Sequence, residues 1–240
     1  MQCLLHIPKF NYFFINKYPQ LKEDLKRINK DCETKGKLSN EYYILVKSLS
    51  EKIKKEKNEL FEENIYSPKS FGDLLSRLNP QFSRNKSNDS KELLFYLIKT
   101  MHDELNFLGG QKLKNIPQCN NLTELDSFNY FVITKNDLNL SIFSYFFYGI
   151  LKTSKKRLNC NKISYNFDYF QYLNFPLVNF KNKRFNLYQG FKEYIKPHTM
   201  KYYCQICKGI RDATFHSIIH YTPPYLIINI DYGKNKERKE

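Results

Sequence analysis

A chain of 240 residues with 41% hydrophobic side chains can bury a sizeable core, as one domain or one domain with an extension, which places it among globular proteins. No apolar run is long enough to span a membrane and the N-terminus lacks the h-region and cleavage site of a signal peptide, so membrane and secreted classes are excluded and a cytoplasmic or nuclear home is expected. The formal net charge of +15 invites a nucleic-acid reading, but the lysines are spread along the chain and mixed with glutamate, as over residues 50–64, in the manner of solvated helix faces. Only Lys155 to Arg157 and Lys181 to Arg184 are compact basic clusters, so nucleic acid is not the expected partner.

Met1 to Phe14 opens on apolar residues with no cap, like the back half of a helix. Leu21, Leu25 and Ile28 predict a short amphipathic helix, residues 34–37 a loop, and Tyr42, Leu45, Val46, Leu49 and Ile53 a longer helix. Ser67 is placed to cap the next helix with Pro68 at its opening position; Phe71, Leu74, Leu75 and Leu78 then share one face until Asn79-Pro80 ends it. Asp89, three residues before Glu92, has the spacing of an N-cap with a reciprocal carboxylate. Leu93, Leu94, Leu97, Ile98, Met101 and Leu105 supply the apolar stripe that follows, and Gly109-Gly110 marks its end.

Beyond Gly110 the texture becomes extended. Tyr130 to Thr134 reads as a short strand, residues 141–151 as an aromatic strand ending near Gly149, and Ser164 to Phe170 and Leu173 to Leu177 as two more. Leu187 to Tyr194 predicts a short helix. Thr214 to Tyr221 and Tyr225 to Ile230 are β-branched and aromatic and are separated by Thr222-Pro223-Pro224, which predicts two strands joined at a proline turn. With 19 Tyr and 20 Phe in the chain, runs such as 11–14 and 143–148 are expected to line a core rather than face water.

Six scattered cysteines do not form the disulfide framework of a small secreted domain, and the one tight pair, Cys204-Gln205-Ile206-Cys207, has metal-ligand spacing. Cys3, flanked by Leu4 and Leu5, is expected to be a small buried core residue and not a nucleophile, because a reactive thiolate needs an electropositive, partly exposed setting.

Several blocks, in order, resemble the ubiquitin-specific proteases. Gln2-Cys3-Leu4 with Ile7-Pro8 and Tyr12 to Phe14 is similar to the end of that family's Cys box. Asn79-Pro80-Gln81-Phe82, then Asp89 to Leu94 and His102 to Asn106 are similar to its N-P-x-F, Q-Q-D-A-Q-E-F-L and L-H-x-E-L blocks, with Ser87 and Asn88 in place of the two glutamines. The aromatic residues before Gly149, then Cys160, Ser164-Tyr165-Asn166-Phe167 and Leu173 to Leu177 are similar to the first finger strands. Tyr202 to Cys207 resembles the Y-x-C-x-x-C knuckle, and the strand, Pro, Leu226-Ile227-Ile228 order resembles the strands that follow. The resemblance implies an α+β, papain-like cysteine protease fold: one ubiquitin-specific protease domain over 1–240, with a helical thumb over 1–110 and β-rich fingers with the start of the palm over 111–240.

For the sites, the resemblance implies that Asp89 and Glu92 meet the arginine-bearing tail of ubiquitin. Cys160 stands at the second cysteine of the other zinc knuckle, but Arg157 occupies the position of the first. His216 and His220 lie about 13 Å apart if both are on one strand, so at most one could join. Zinc on the incomplete set Cys160, Cys204 and Cys207, or a metal-free ribbon remnant, both stay open. The family reaction is thiol-dependent hydrolysis of ubiquitin isopeptide bonds, in which a His takes the proton of a nucleophilic Cys. That Cys lies in a segment that would end near Met1 and the His in one that would follow Glu240, so no catalytic residue is assigned and the chain as written is expected to be inactive. The expected function is ubiquitin recognition by a deubiquitinase domain; the alternatives are a non-catalytic ubiquitin-binding scaffold and a basic zinc-ribbon nucleic-acid binder.

Overall fold

Proline and aromatic placement divide the first thirty residues into three short helices instead of the tail of one. The computed structural model describes residues 2–56, 67–83, 87–109, 122–135, 140–176 and 186–231, with the side chains of 52–56 left aside. Helix α1 covers Gln2–Leu5 and α2 covers Pro8–Asn16, with Pro8 in the first turn where its missing N–H costs nothing. Pro19 does the same for α3, Tyr18–Ile28. Then come α4 (Lys37–Glu56), α5 (Lys69–Leu78), a 3-10 turn over Pro80–Phe82 and α6 (Ser90–Glu104). Pro68, not Ser67, is the N-cap of α5, and no side chain caps it.

The chain divides into two compact units, the first made of the described parts of 1–112 and 138–144. Its core is aromatic. Phe10 lies edge-on to Phe14 and Phe143 at ring separations of 5.2 and 4.9 Å, and Phe14 to Tyr42 at 4.7 Å. Leu97, Ile98 and Met101 of α6 are fully buried in this unit, as the helical period predicts.

The second unit holds the described parts of 113–137 and 145–240. Helix α7, Glu124–Lys135, takes up the segment in which a strand was expected. Thr123 and Asp126 cap it reciprocally: the Asp126 amide donates to Thr123 Oγ1 at 3.2 Å and the Thr123 amide to Asp126 Oδ2 at 3.4 Å. The aromatic run after Ser141 is likewise a helix, α8 (Ile142–Phe147), and the strand begins only at Gly149. A Cβ on Gly149 would collide with the Phe170 ring and the Tyr221 carbonyl, so a glycine is needed where these strands close up.

Strands β1 (Gly149–Arg157), β2 (Ile163–Phe170), β4 (His198–Cys204) and β5 (Gly209–Tyr221) form one antiparallel sheet in the order β2-β1-β5-β4. Strand β3 (Leu173–Pro176) pairs in parallel with β6 (Ile228–Asp231). The last two predicted strands therefore do not make a hairpin: after Thr222-Pro223-Pro224 the chain enters a different sheet. Helix α9, Leu187–Tyr194, follows the expected range, opens on a capping box from Asn186 to Gln189, and lays Phe191 and Tyr194 over Phe175.

Candidate functional site

Two strand pairs carry the cysteines to one place. Cys160 lies in the turn between β1 and β2, and Cys204 ends β4 just before the turn into β5. Because β1 and β5 are neighbours, the two turns come to the same end of the sheet. The residue after each turn's last cysteine, Asn161 and Lys208, has a left-handed backbone with φ of 52° and 47°. Such a kink turns the chain sharply after its sulfur; Asn tolerates it and Lys is strained.

The result is a group of three sulfurs, Cys160, Cys204 and Cys207, all within 4.8 Å of one another. The Cys207 amide approaches Cys204 Sγ at 3.4 Å and is the main cause pulling the buried Cys204 thiol down to about 7. The hydrogen bond from the other side of the pair pushes Cys207 up to about 11. Thiolates bound at about 2.3 Å to a tetrahedral ion sit about 3.8 Å apart, so sulfurs within 4.8 Å of one another are near enough that the set could hold one metal ion. The donor chemistry fits three protein ligands and a fourth position supplied from elsewhere.

Among the described residues neither His216 nor His220, of which at most one could have joined, belongs to this group. His220 packs its ring on Phe128 and Phe167, at 5.0 and 5.1 Å. His216 lines a separate cavity with Gln189 and Lys196. Arg157, at the vacant knuckle position, lowers the Tyr202 phenol together with Lys155, whose hydrogen bond to that phenol is the largest cause. The shifts of Cys204 and Cys207 arise from each other, Ile206 and Cys160.

The second predicted site is in the first unit. Asp89 is the N-cap of α6, its Oδ1 accepting the Lys91 amide at 2.8 Å. The reciprocal contact expected of Glu92 is absent among the described hydrogen bonds; instead Glu92 Oε2 accepts Gln81 Nε2 at 2.6 Å. Gln81 is itself positioned by Asn79, whose side chain accepts the Gln81 amide at 3.1 Å. The Asn-Pro-Gln-Phe block and the Asp89–Glu92 block are therefore one local structure. Both carboxylates remain exposed at the positive end of a 15-residue helix.

The most consequential residue missed in the sequence is Glu104. It is 2% exposed, and its carboxylate accepts the Leu38 and Ser39 amides at 3.0 and 2.6 Å, capping α4 from across the unit. Nearby, Asn29 Nδ2 donates to the carbonyls of Leu25, Glu104 and Asn106. Gly109 closes over Asn29 so tightly that a Cβ would strike its side chain. Its role is close approach, not the end of α6, which stops at Glu104. His102 is buried against Ser141 Oγ at 2.6 Å, and that oxygen also accepts the Phe143 and Ser144 amides that open α8.

Cys3 is exposed on α1, contrary to the buried position expected of it. Its sequence neighbour His6 turns Nδ1 to the Gln2 carbonyl at 2.8 Å. Cys32 pairs with Thr34, and His198 stacks on Phe215.

A family model described as ubiquitin carboxyl-terminal hydrolase matches residues 1–240. Among curated proteins, ubiquitin carboxyl-terminal hydrolase 15 of Xenopus tropicalis is 27% identical over 195 residues, covering 78% of this chain and 18% of that protein. Ubiquitin carboxyl-terminal hydrolase 9 of Arabidopsis thaliana is 30% identical over 187 residues, 74% of this chain and 18% of its own. The chain thus spans less than a fifth of these relatives. Among solved structures, the SAGA DUB module of Ubp8, Sgf11, Sus1 and Sgf73 bound to monoubiquitin superposes with a TM-score of 0.60 at 18% identity, over 95% of this chain and 43% of that one. The fold is accordingly the papain-like α+β fold of those modules.

Proposed function

Because this chain belongs to the ubiquitin carboxyl-terminal hydrolase family, we propose that it recognises ubiquitin, as part of a cysteine deubiquitinase. The surface at the start of α6 supports this reading most directly. Asp89 and Glu92 are exposed, and each is fixed through one oxygen by a neighbouring N–H. Their remaining lone pairs can accept the guanidinium groups of a basic peptide, and carboxylate–guanidinium pairs are the strongest of the common hydrogen bonds. The SAGA DUB module, which shares this fold, is bound to monoubiquitin, and on that ground we assign the arginine-bearing ubiquitin tail as the partner. Binding of ubiquitin, compared with ubiquitin lacking its C-terminal tail, tests this; equal affinity for the two would remove the tail contact.

Residues 1–240 by themselves are not proposed to hydrolyse conjugates. Acyl transfer needs a thiol with a base in hydrogen-bond reach, whereas His6, His102, His198 and His220 contact Gln2, Ser141, Phe215 and the Phe128–Phe167 pair. A ubiquitin probe with a thiol-reactive C-terminus should leave the protein unmodified. Labelling that a Cys3→Ser change abolishes would instead make Cys3 the nucleophile.

Cys160, Cys204 and Cys207 are the residues that would hold zinc, which when bound supplies a cross-link between the two turns. Free thiols in such a cluster suit a reducing compartment, cytoplasm or nucleus. Among the described residues no helix is long and apolar enough to cross a membrane.

A further inference from the structure

Gln81 stands on a turn that its neighbours fix in place. Asn79 caps the 3-10 turn by accepting the Gln81 amide at 3.1 Å, and Pro80, at the start of the turn, holds its own φ near the value such a turn uses. Phe82 is buried and packs its ring 5.3 Å from that of Tyr96, while its carbonyl faces the Ser76 hydroxyl of α5 at 3.4 Å. Tyr96 lies one turn beyond Glu92 on α6, on the same side of that helix. The turn therefore meets α6 at successive levels: Phe82 rests on Tyr96, and Gln81 Nε2 donates to Glu92 Oε2 at 2.6 Å.

This contact joins two exposed side chains. A hydrogen bond in water largely exchanges for one to solvent, so it adds little to folding stability. Its effect is on order. An exposed glutamate samples several rotamers, and a ligand that needs one of them bears the cost of selecting it. An amide carried on an anchored turn makes that selection before the ligand arrives. Charge is the second consequence. Lys or Arg at this position would also hold Glu92, but would neutralise it and occupy its oxygens, whereas the uncharged amide of Gln81 leaves the carboxylate its full attraction for a cation.

We infer that Gln81 is a positioning residue that also sets specificity at the start of α6: it holds the Glu92 carboxylate in the rotamer that receives a guanidinium and keeps it charged. The inference rests on the assignment of the ubiquitin tail to Asp89 and Glu92 made above.

The test is to measure binding of intact ubiquitin and of ubiquitin lacking its C-terminal tail to the 240-residue protein and its Gln81 variants, alongside unfolding curves. Gln81→Met keeps the length of the side chain and removes the donor; it should weaken binding of intact ubiquitin by about threefold to tenfold and leave the tailless form unaffected. Gln81→Arg should weaken it at least as much, although it offers Glu92 an ion pair, because the new guanidinium takes the place meant for the tail. Gln20→Arg, at an exposed position on α3, controls for the added charge and should be nearly silent. In a Glu92→Gln background neither Gln81 variant should cost anything further, and every Gln81 variant should unfold with the parent. A parent that prefers intact ubiquitin while Gln81→Arg keeps that preference would overturn the inference and leave the tail assignment standing. Equal affinity of the parent for the two forms would remove both. Loss of stability in Gln81→Met in step with its loss of binding would make Gln81 a structural residue and overturn the inference alone.

Discussion

The two units differ in what their most buried polar groups do. In the helical unit three of them close on partners across the fold, Glu104 on the amides of Leu38 and Ser39, Asn29 on three carbonyls, and His102 on Ser141, whereas Ser39 Oγ and Glu41 Oε2 have none among the described residues. In the strand-rich unit, three sulfurs gather closely enough to share an ion, and Arg157 Nε and Nη1 have no hydrogen-bond partner among the described residues. Polar groups of the first kind fix a fold, because a half-satisfied network would cost more than an apolar one. The three sulfurs of the second unit are placed to take an ion instead. The contrast can be broken or sharpened by substitutions on either side.

The largest effect is expected at Glu104. Glu104→Ala leaves two buried amides without acceptors, at about 1–3 kcal/mol each, so a loss of about 3–4 kcal/mol in denaturant unfolding is predicted. A loss under about 1 kcal/mol would show that water replaces the carboxylate and that the helical unit is not closed in the way described.

Next is the cysteine cluster. The protein should take up one zinc ion, and Cys204→Ser should weaken binding by at least about 100-fold, about 2.7 kcal/mol. Each thiol must lose its proton to ligate, so affinity should rise with pH. Cys204, held down to about 7, is largely ionised above that value and protonated below it. The dependence on pH should therefore steepen as pH falls through about 7. A flat profile, or one unaffected by Cys204→Ser, would count against the assigned ligands.

A smaller loss is expected at Gly109. Gly109→Ala drives a methyl into Asn29 and should cost about 1–3 kcal/mol, as overpacking does. A second change, Asn29→Ala, should relieve the clash, so the two substitutions together should fall short of the sum of their separate costs.

The stretches most legible in the sequence are those where local pattern and burial agree. Leu97, Ile98 and Met101 follow the helical period and are buried, and Phe167 and Phe170 fall in a strand whose aromatic character predicts it. Tyr130 to Thr134 misleads because aromatic and β-branched residues favour strands only where a pleated surface receives them. Here Ser127, Phe131 and Thr134 make a buried helical face, and the Thr123–Asp126 capping box was the available signal. The parallel pairing of β3 with β6 joins residues more than fifty apart, which no local pattern encodes.

Of the sites, the Cys204–Cys207 knuckle and the Asp89–Glu92 pair follow from spacing and resemblance. The capping of α4 by Glu104 and the unpaired nitrogens of Arg157 do not, since each depends on which distant segment folds over it. Lys181 to Arg184 and Leu177 lie outside the described residues.

The central claim, ubiquitin recognition through the start of α6, is tested most directly by calorimetric titration of residues 1–240 with ubiquitin. Exposed charge pairs contribute about 0.2–1 kcal/mol each. Reversing both carboxylates in Asp89→Lys with Glu92→Lys should therefore weaken binding by about tenfold, or about 1.4 kcal/mol. The same reversal at the exposed pair Glu23 and Asp24 of α3 should leave it nearly unchanged. Unfolding curves of the variants separate this loss from the loss of the Asp89 cap, about 1 kcal/mol of stability. Equal losses at the two pairs, or unaltered binding in the Asp89 and Glu92 variant, would contradict the account.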